Sequence, residues 1–204
     1  MDVTKLHRAP ALLHLATADT ATLAAVTGNG RLVDALSSVE ATPLVTWEAV
    51  NQVVGLALGA RKNRQRVFFI GNGGSAGISS HMAADWLKAG HFAAMCFNDP
   101  ALLTCFANDL GYPAVFAKPL EQHGRAGDLL FAISSSGRSL SITDAVSVAS
   151  DMGMKVVTLS GFKPDNFLRS LGSINFYVPS ERYGIVEVAH HAILHAILDR
   201  ITEG

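Results

Sequence analysis

The chain has 204 residues, 49% of them apolar, with 16 basic and 17 acidic side chains. That length fits one α/β domain with a helical arm. The near-neutral charge without a Lys/Arg cluster argues against a nucleic-acid surface, and no apolar run approaches the roughly 20 residues that span a bilayer.

Residues 1–45 carry Leu12, Leu13, Leu15 and Leu23, then Leu32 through Leu36, with a break near Gly28-Asn29-Gly30. They are expected to form a helical N-terminal arm that packs on a neighbouring subunit, leaving residues 46–204 as the main domain. The stretch Ala9 to Ala18 is short and contains His14, so it is not read as a secretion signal. A helix is predicted over Trp47–Lys62. Five short apolar runs then predict buried strands at Arg66–Ile70, Ala93–Phe97, Asp128–Ile133, Lys155–Leu159 and Ile174–Val178. They are apolar almost throughout rather than alternating, as in a parallel sheet covered on both faces. Helical patterns lie at Ser75–Ala89, Tyr112–Gln122, Leu140–Met152 and Glu181–Ile201, with a short piece near Asn166–Leu171. Ser139 and Asp165 suit N-cap positions, and Gly153 suits a helix end. Cys96 and Cys105 sit in apolar segments without CxxC spacing and read as reduced core residues of a cytoplasmic protein. The alternation of strands and helices predicts an α/β fold, a doubly wound five-stranded parallel sheet in the flavodoxin-like order 2-1-3-4-5, flanked by helices.

Two loops between a strand and a helix carry most of the functional information. The first is Gly71-Asn72-Gly73-Gly74-Ser75 and the second Ser134-Ser135-Ser136-Gly137-Arg138-Ser139. A helix N-terminus offers free backbone N–H groups and the positive end of the dipole, serine hydroxyls add neutral donors, and glycine admits a ligand close to the backbone. In the order 2-1-3-4-5 the strand order reverses between the first and third strands, which bear these two loops. Both loops therefore point to one site for a phosphorylated small molecule. The first loop also satisfies the dinucleotide pattern G-x-G-x-x-A. That reading requires an acidic residue about 20 positions on; Asp99 comes late, and the second serine loop has no role in it.

Acid–base candidates lie on two helices. His81 and Asp85 are four apart, and Glu187, His191 and His195 recur at intervals of four, so each set shares one helical face. Carboxylates paired with imidazoles can move protons on a sugar or hold a divalent metal such as zinc. His191 is read as structural. Asn108-Asp109 suits either a turn or a contact with ligand polar groups.

These residues stand in segments that resemble the sugar isomerase (SIS) domain, and within it the phosphoheptose isomerase family. FIGNGGSAGISSHMAADW, CFANDLGY, GRAGDLLFAISSSGRS, MGMKVVTLSG and VEVAHHAILH follow in order from about Trp47 to the C-terminus. The resemblance implies isomerisation of sedoheptulose 7-phosphate to D-glycero-D-manno-heptose 7-phosphate, in a homotetramer with active sites between subunits. It places Ser75, Ser134, Ser136 and Ser139 on the phosphate, with Ser135, Asn72 and Gly73 lining the sugar site and Asp109 on substrate hydroxyls. It puts the catalytic pair at Asp85 and His195. Zinc, which some members bind, falls to His81, Asp85, Glu187 and His195.

Three positions depart from the family pattern. Asp85 stands where the family has glutamate, drawing the carboxylate back by about 1.5 Å. Glu187 replaces a neutral glutamine, and Ile185 replaces an arginine. A binding protein without catalysis is the alternative, since the SIS fold also serves in sugar-phosphate-sensing regulators and in an adaptor for the replication initiator. Retention of His195 and of an acid at position 85 favours the enzyme.

Overall fold

The computed structural model describes residues 46–203; the arm expected over residues 1–45 lies outside the described residues. The elements in chain order are α1 Trp47–Lys62, β1 Arg66–Gly71, α2 Gly74–Lys88, β2 Ala93–Cys96, α3 Pro100–Leu110, α4 Ala114–His123, β3 Leu129–Ser134, α5 Leu140–Asp151, β4 Lys155–Gly161, a 3₁₀ turn Phe167–Ser170, β5 Ile174–Val178 and α6 Tyr183–Thr202. All strand pairs are parallel, in the order β2-β1-β3-β4-β5. The doubly wound sheet expected from the sequence is thus present.

Successive residues of β1 supply both faces of the core. Val67 and Phe69 belong to one apolar layer with Phe131, Met82 and Trp86, and with Leu194 and Ile197 of α6. Phe68 and Ile70 belong to the other, with Leu130, Phe116, Leu120 and Val146. Each such fully buried side chain contributes about 1.5–3 kcal/mol relative to exposure. Phe69 stacks on Phe131 with centroids 4.8 Å apart and meets Trp86 edge-on at 5.5 Å. This layer fixes α2, which carries Met82 and Trp86, against the sheet and α6.

Local chemistry corrects several boundaries. Asp99 caps α3 by accepting from the Leu102 N–H, with Pro100 at the first helical position. An eleven-residue helix therefore runs to Leu110, so Asn108-Asp109 lie inside a helix rather than in a turn. Gly111 at φ +86° breaks the chain before α4, which begins at Ala114 instead of Tyr112. Asn166, not Asp165, caps the 3₁₀ turn, accepting from the Arg169 N–H. Ser139 holds the N-cap position of α5, but its hydroxyl makes no capping bond. Cys105 is exposed and Cys96 half-buried, so neither is a core residue; both are free thiols. No described helix is long and apolar enough to cross a membrane.

His190 on α6 is fully buried, and its Nε2 lies 3.1 Å from the carbonyl oxygen of Ser160 on β4. A carbonyl only accepts, so Nε2 bears the proton and Nδ1, buried without a partner, does not. Burial pushes this imidazole down to about 4, against the opposing effect of the Ser160 bond.

Two outcomes follow. The unfolded chain binds the His190 proton more readily than the fold does, so stability from this residue is full above pH 6.5 and falls as pH drops toward 4. The loss is about 3 kcal/mol, read as a falling urea midpoint. His190→Gln, which keeps a donor for Ser160, should flatten that slope; an unchanged slope assigns it to other groups. Separately, a methyl added at Gly71 would lie 2.6 Å from the Ser75 carbonyl oxygen and 2.7 Å from its carbon. Those are backbone atoms in the first turn of α2, so Gly71→Ala should cost about 1–3 kcal/mol in urea unfolding.

Candidate functional site

The β1–β3 register pairs Gly71 with Ile133 and Phe69 with Phe131, so both strands end side by side. The first loop leaves β1 through Asn72 and Gly73. Gly73 has φ +56° and ψ −122°, a conformation open to glycine, and it starts α2 without a side-chain cap. The first N–H groups of α2 therefore remain for a ligand. Asn72 is held from two sides: its Nδ2 donates to Ser141 Oγ at 2.9 Å, and its Oδ1 accepts from the Tyr112 hydroxyl at 2.8 Å.

The second loop turns at Gly137, φ +63°, whose N–H donates to the Ser134 carbonyl at 3.0 Å. A side chain at Gly137 would run into the Asn166 carboxamide. Asn166 Nδ2 in turn donates to the Gly161 and Lys163 carbonyls, so the segment after β4 braces the serine loop. Between the two loops lies an open cavity of about 260 Å³. Asn72, Gly73 and Ser75 line it from the first loop and Ser134, Ser135, Ser136 and Ser139 from the second. Tyr183 and Glu187 of α6 close one side. Among the described residues no lysine or arginine lines it, so an anion there meets hydroxyls, backbone N–H groups and the positive end of α2.

A second polar group sits farther along α2 and α6. His81 Nε2 lies 3.1 Å from Asp85 Oδ2. The His81 ring faces those of His191 and His195 at centroid distances of 4.8 and 5.3 Å, and His191 lies 4.7 Å from His195. One ligand atom from each of the three imidazoles lies within 4.8 Å of the others. The His191 Nε2 is buried with no hydrogen-bond partner. Its titration is held below the usual histidine range, first by burial and then by His195 and His81, with Asp85 opposing. Three imidazoles, one with a buried free nitrogen, beside a carboxylate are a donor set suited to zinc.

The structure thus brings together seven of the eight sequence-predicted substrate residues, Asn72 and Gly73 through Ser139, around one cavity. Asp109 is not among them. It is exposed on α3, where Asn108 Nδ2 donates to its Oδ1 at 2.8 Å. Of the sequence-predicted metal group, His81, Asp85 and His195 gather, whereas Glu187 lines the serine cavity. A methyl at Gly74 would lie 2.5 Å from the Glu187 carboxylate, so that glycine gives the acid its place. His191, expected to be structural, belongs to the imidazole group; its i,i+4 spacing to His195 was the available signal. Tyr112 and Tyr183 had no sequence signal, because their roles depend on contacts between distant segments.

Comparison with known proteins agrees with this fold. The SIS domain family profile matches residues 31–161. The chain is 34% identical over 168 residues to a phosphoheptose isomerase of Mycobacterium tuberculosis, covering 77% of this chain and 83% of that protein. The solved phosphoheptose isomerase of Neisseria gonorrhoeae superposes with a TM-score of 0.72 at 32% identity, covering 78% of this chain and 87% of that one. That of Francisella tularensis gives 0.71 at 28% identity, with the same coverage.

Ser136 tests the anion cavity, since its hydroxyl accepts only a 3.3 Å contact from the Arg138 N–H. Ser136→Ala should weaken binding of a phosphosugar about 10- to 100-fold, the worth of one hydrogen bond to a charged group, with an unchanged melting temperature. Titration calorimetry measures it; unaltered affinity would place the phosphate elsewhere.

Proposed function

The chain belongs to the phosphoheptose isomerase family of SIS-domain proteins, and from that premise we propose that it interconverts sedoheptulose 7-phosphate and D-glycero-D-manno-heptose 7-phosphate. The observation that carries this reading is the serine-lined cavity at the β1/β3 switch point, with a carboxylate–imidazole group on the adjoining helices α2 and α6. His81 stands seven residues into α2 from Gly74, about 10 Å along the axis. A phosphate anchored in the serine loops therefore leaves its sugar chain free to run toward the imidazoles.

The reaction is an aldose–ketose shift through a cis-enediol. Asp85 takes the proton from the carbon beside the carbonyl, and that C–H electron pair becomes the C1–C2 double bond. His195 supplies a proton to the former carbonyl oxygen and removes one from the neighbouring hydroxyl. Asp85 then returns its proton to the other carbon, which completes the exchange. Anchoring the distal phosphate converts this into a reaction of pre-positioned groups. Zinc, when bound by the histidines and Asp85, supplies positive charge for the oxygen that becomes anionic. The shorter side chain of Asp85 makes geometry critical, since a misplacement of about 1 Å can cost 10²-fold in rate.

The working unit we propose is a cytoplasmic homotetramer with sites between subunits. Residues 46–204 form the phosphosugar domain in this scheme, and residues 1–45 a helical arm. Support for association comes from Leu87 on α2 and Val188 on α6, 57% and 51% exposed on the helices that bear the acid–base residues. The free thiols of Cys96 and Cys105 suit a reducing compartment.

Incubation with sedoheptulose 7-phosphate in D₂O, followed by NMR, should give aldoheptose phosphate carrying deuterium at C2. His195→Gln should abolish turnover while leaving phosphosugar affinity near that of the parent. Turnover that survives this substitution removes His195 from the mechanism. Absence of both product and exchange, with and without added zinc, favours the reading as a phosphosugar-binding protein.

A further inference from the structure

We infer that Tyr112 is a positioning residue of the cavity: its hydroxyl fixes the orientation of the Asn72 carboxamide, so that an amide N–H of Asn72 is offered to an acceptor oxygen of the bound phosphosugar. The inference deepens the isomerase reading and rests on it for the ligand, though not for the hold of Tyr112 on Asn72.

Tyr112 does not line the cavity, whereas Asn72 does. Any influence of the phenol on a ligand there passes through that side chain. The ring contributes little to packing. It is 54% exposed and belongs to neither core layer, so burial alone would not keep a tyrosine at this position. Its hydroxyl instead donates to Asn72 Oδ1 at 2.8 Å, across 40 positions of sequence.

The backbone presents this hydroxyl on a turn with few alternatives. Gly111 ends α3 at φ +86° and ψ 156°, a conformation nearly restricted to glycine. Pro113 follows and disfavours the helical region for Tyr112. The Ala114 N–H closes the turn on the Gly111 carbonyl at 3.0 Å. A donor carried on so constrained a segment meets its partner at little further cost in entropy.

Asn72 depends on such a partner. On its other side stands Ser141, 2% exposed, the second residue of α5 and directly behind the second serine loop. Asn72 Nδ2 donates to Ser141 Oγ at 2.9 Å, so this one carboxamide bridges both loops of the cavity. An aliphatic hydroxyl both donates and accepts, and Ser141 alone therefore accommodates the carboxamide either way round. A phenol is the stronger proton donor. Tyr112 takes the carbonyl end and leaves the amino end to Ser141. One Nδ2 hydrogen is then engaged, and the other remains for a ligand. The reverse orientation would replace that donor by an acceptor, which a phosphate or carbonyl oxygen of the ligand cannot pair with.

Two readouts test this, the first without ligand. In side-chain amide ¹H–¹⁵N spectra the Asn72 signals are identified by their loss in Asn72→Ala. Tyr112→Phe, which keeps the ring, should displace both carboxamide proton signals and speed their exchange with water. Unmoved signals overturn the inference. The second readout is affinity for sedoheptulose 7-phosphate by titration calorimetry, with inorganic phosphate as the comparison. Tyr112→Phe should weaken sugar-phosphate binding about 2- to 10-fold, the worth of one hydrogen bond. Its melting temperature should move by less than about 4 °C, and turnover should lose more through KM than through kcat. In the Asn72→Ala background Tyr112→Phe should cost nothing further, because the phenol then has no carboxamide to orient. Losses that add overturn the inference, as does unchanged affinity in Tyr112→Phe. A parent that binds phosphate but neither binds nor converts the sugar refutes the isomerase reading, and the amide spectrum then decides the role of Tyr112. A parent that converts the sugar while Tyr112→Phe leaves the amide signals in place refutes the role of Tyr112 alone.

Discussion

Everything in this site depends on the ladder between β1 and β3. Parallel pairing of Gly71 with Ile133 makes two chain segments more than 60 residues apart leave the sheet at one height. Right-handed crossovers then carry their helices to opposite faces, α2 to the layer containing Trp86 and Phe131, α5 to the layer containing Phe116 and Val146. Two helix starts therefore converge on one cavity. The bracing is polar and local. Tyr112 and Ser141 hold Asn72, and Asn166 holds the turn that contains Gly137. The apolar layers set the position of the loops, and these hydrogen bonds set their shape.

The second organising contact is the one between α2 and α6. Their apolar residues, among them Met82, Leu194 and Ile197, join one core layer. Along the same pair, polar residues follow in order from Gly74 and Glu187 at the cavity to His81, His191 and His195. Neighbouring histidines on α6 show how sharply position decides chemistry. His190 faces β4, donates its Nε2–H to the Ser160 carbonyl and is held neutral by burial. His191, one residue on and about 100° around the axis, faces two other imidazoles and has a nitrogen free.

Much of this arrangement was legible in the sequence, for physical reasons. Strands such as Val67–Ile70 and Leu129–Ile133 are buried on both faces and read as unbroken apolar runs, and the glycine and serine loops follow directly. The pattern and the switch-point rule together located the cavity before any contact was known. The sequence was less informative wherever tertiary contact decides. Helix α3 packs Leu102, Leu103, Phe106 and Ala107 against the second layer but buries none of them fully, so its apolar stripe is short and half-exposed. Tyr112 lies 40 positions from the asparagine it holds. Glu187 lies on the same i,i+4 row as His191 and His195, and periodicity alone does not separate their roles. The absence of a side chain at Gly74, on another helix, draws Glu187 to the cavity instead.

That displacement has an electrostatic consequence. Among the described residues no lysine or arginine lines the cavity, and a phosphate there meets hydroxyls, backbone N–H groups and the starts of two helices, each about half an elementary charge. Glu187 adds a full negative charge beside it. A phosphosugar that fits must keep its phosphate against the serine loops and turn hydroxyls toward Glu187, where a carboxylate accepts hydrogen bonds at little cost. Like-charge repulsion therefore works as an orienting device, disfavouring a ligand bound with its phosphate on the α6 side. A neutral residue at position 187 would impose no such direction, so the acid gives the cavity a polarity that its serines alone do not.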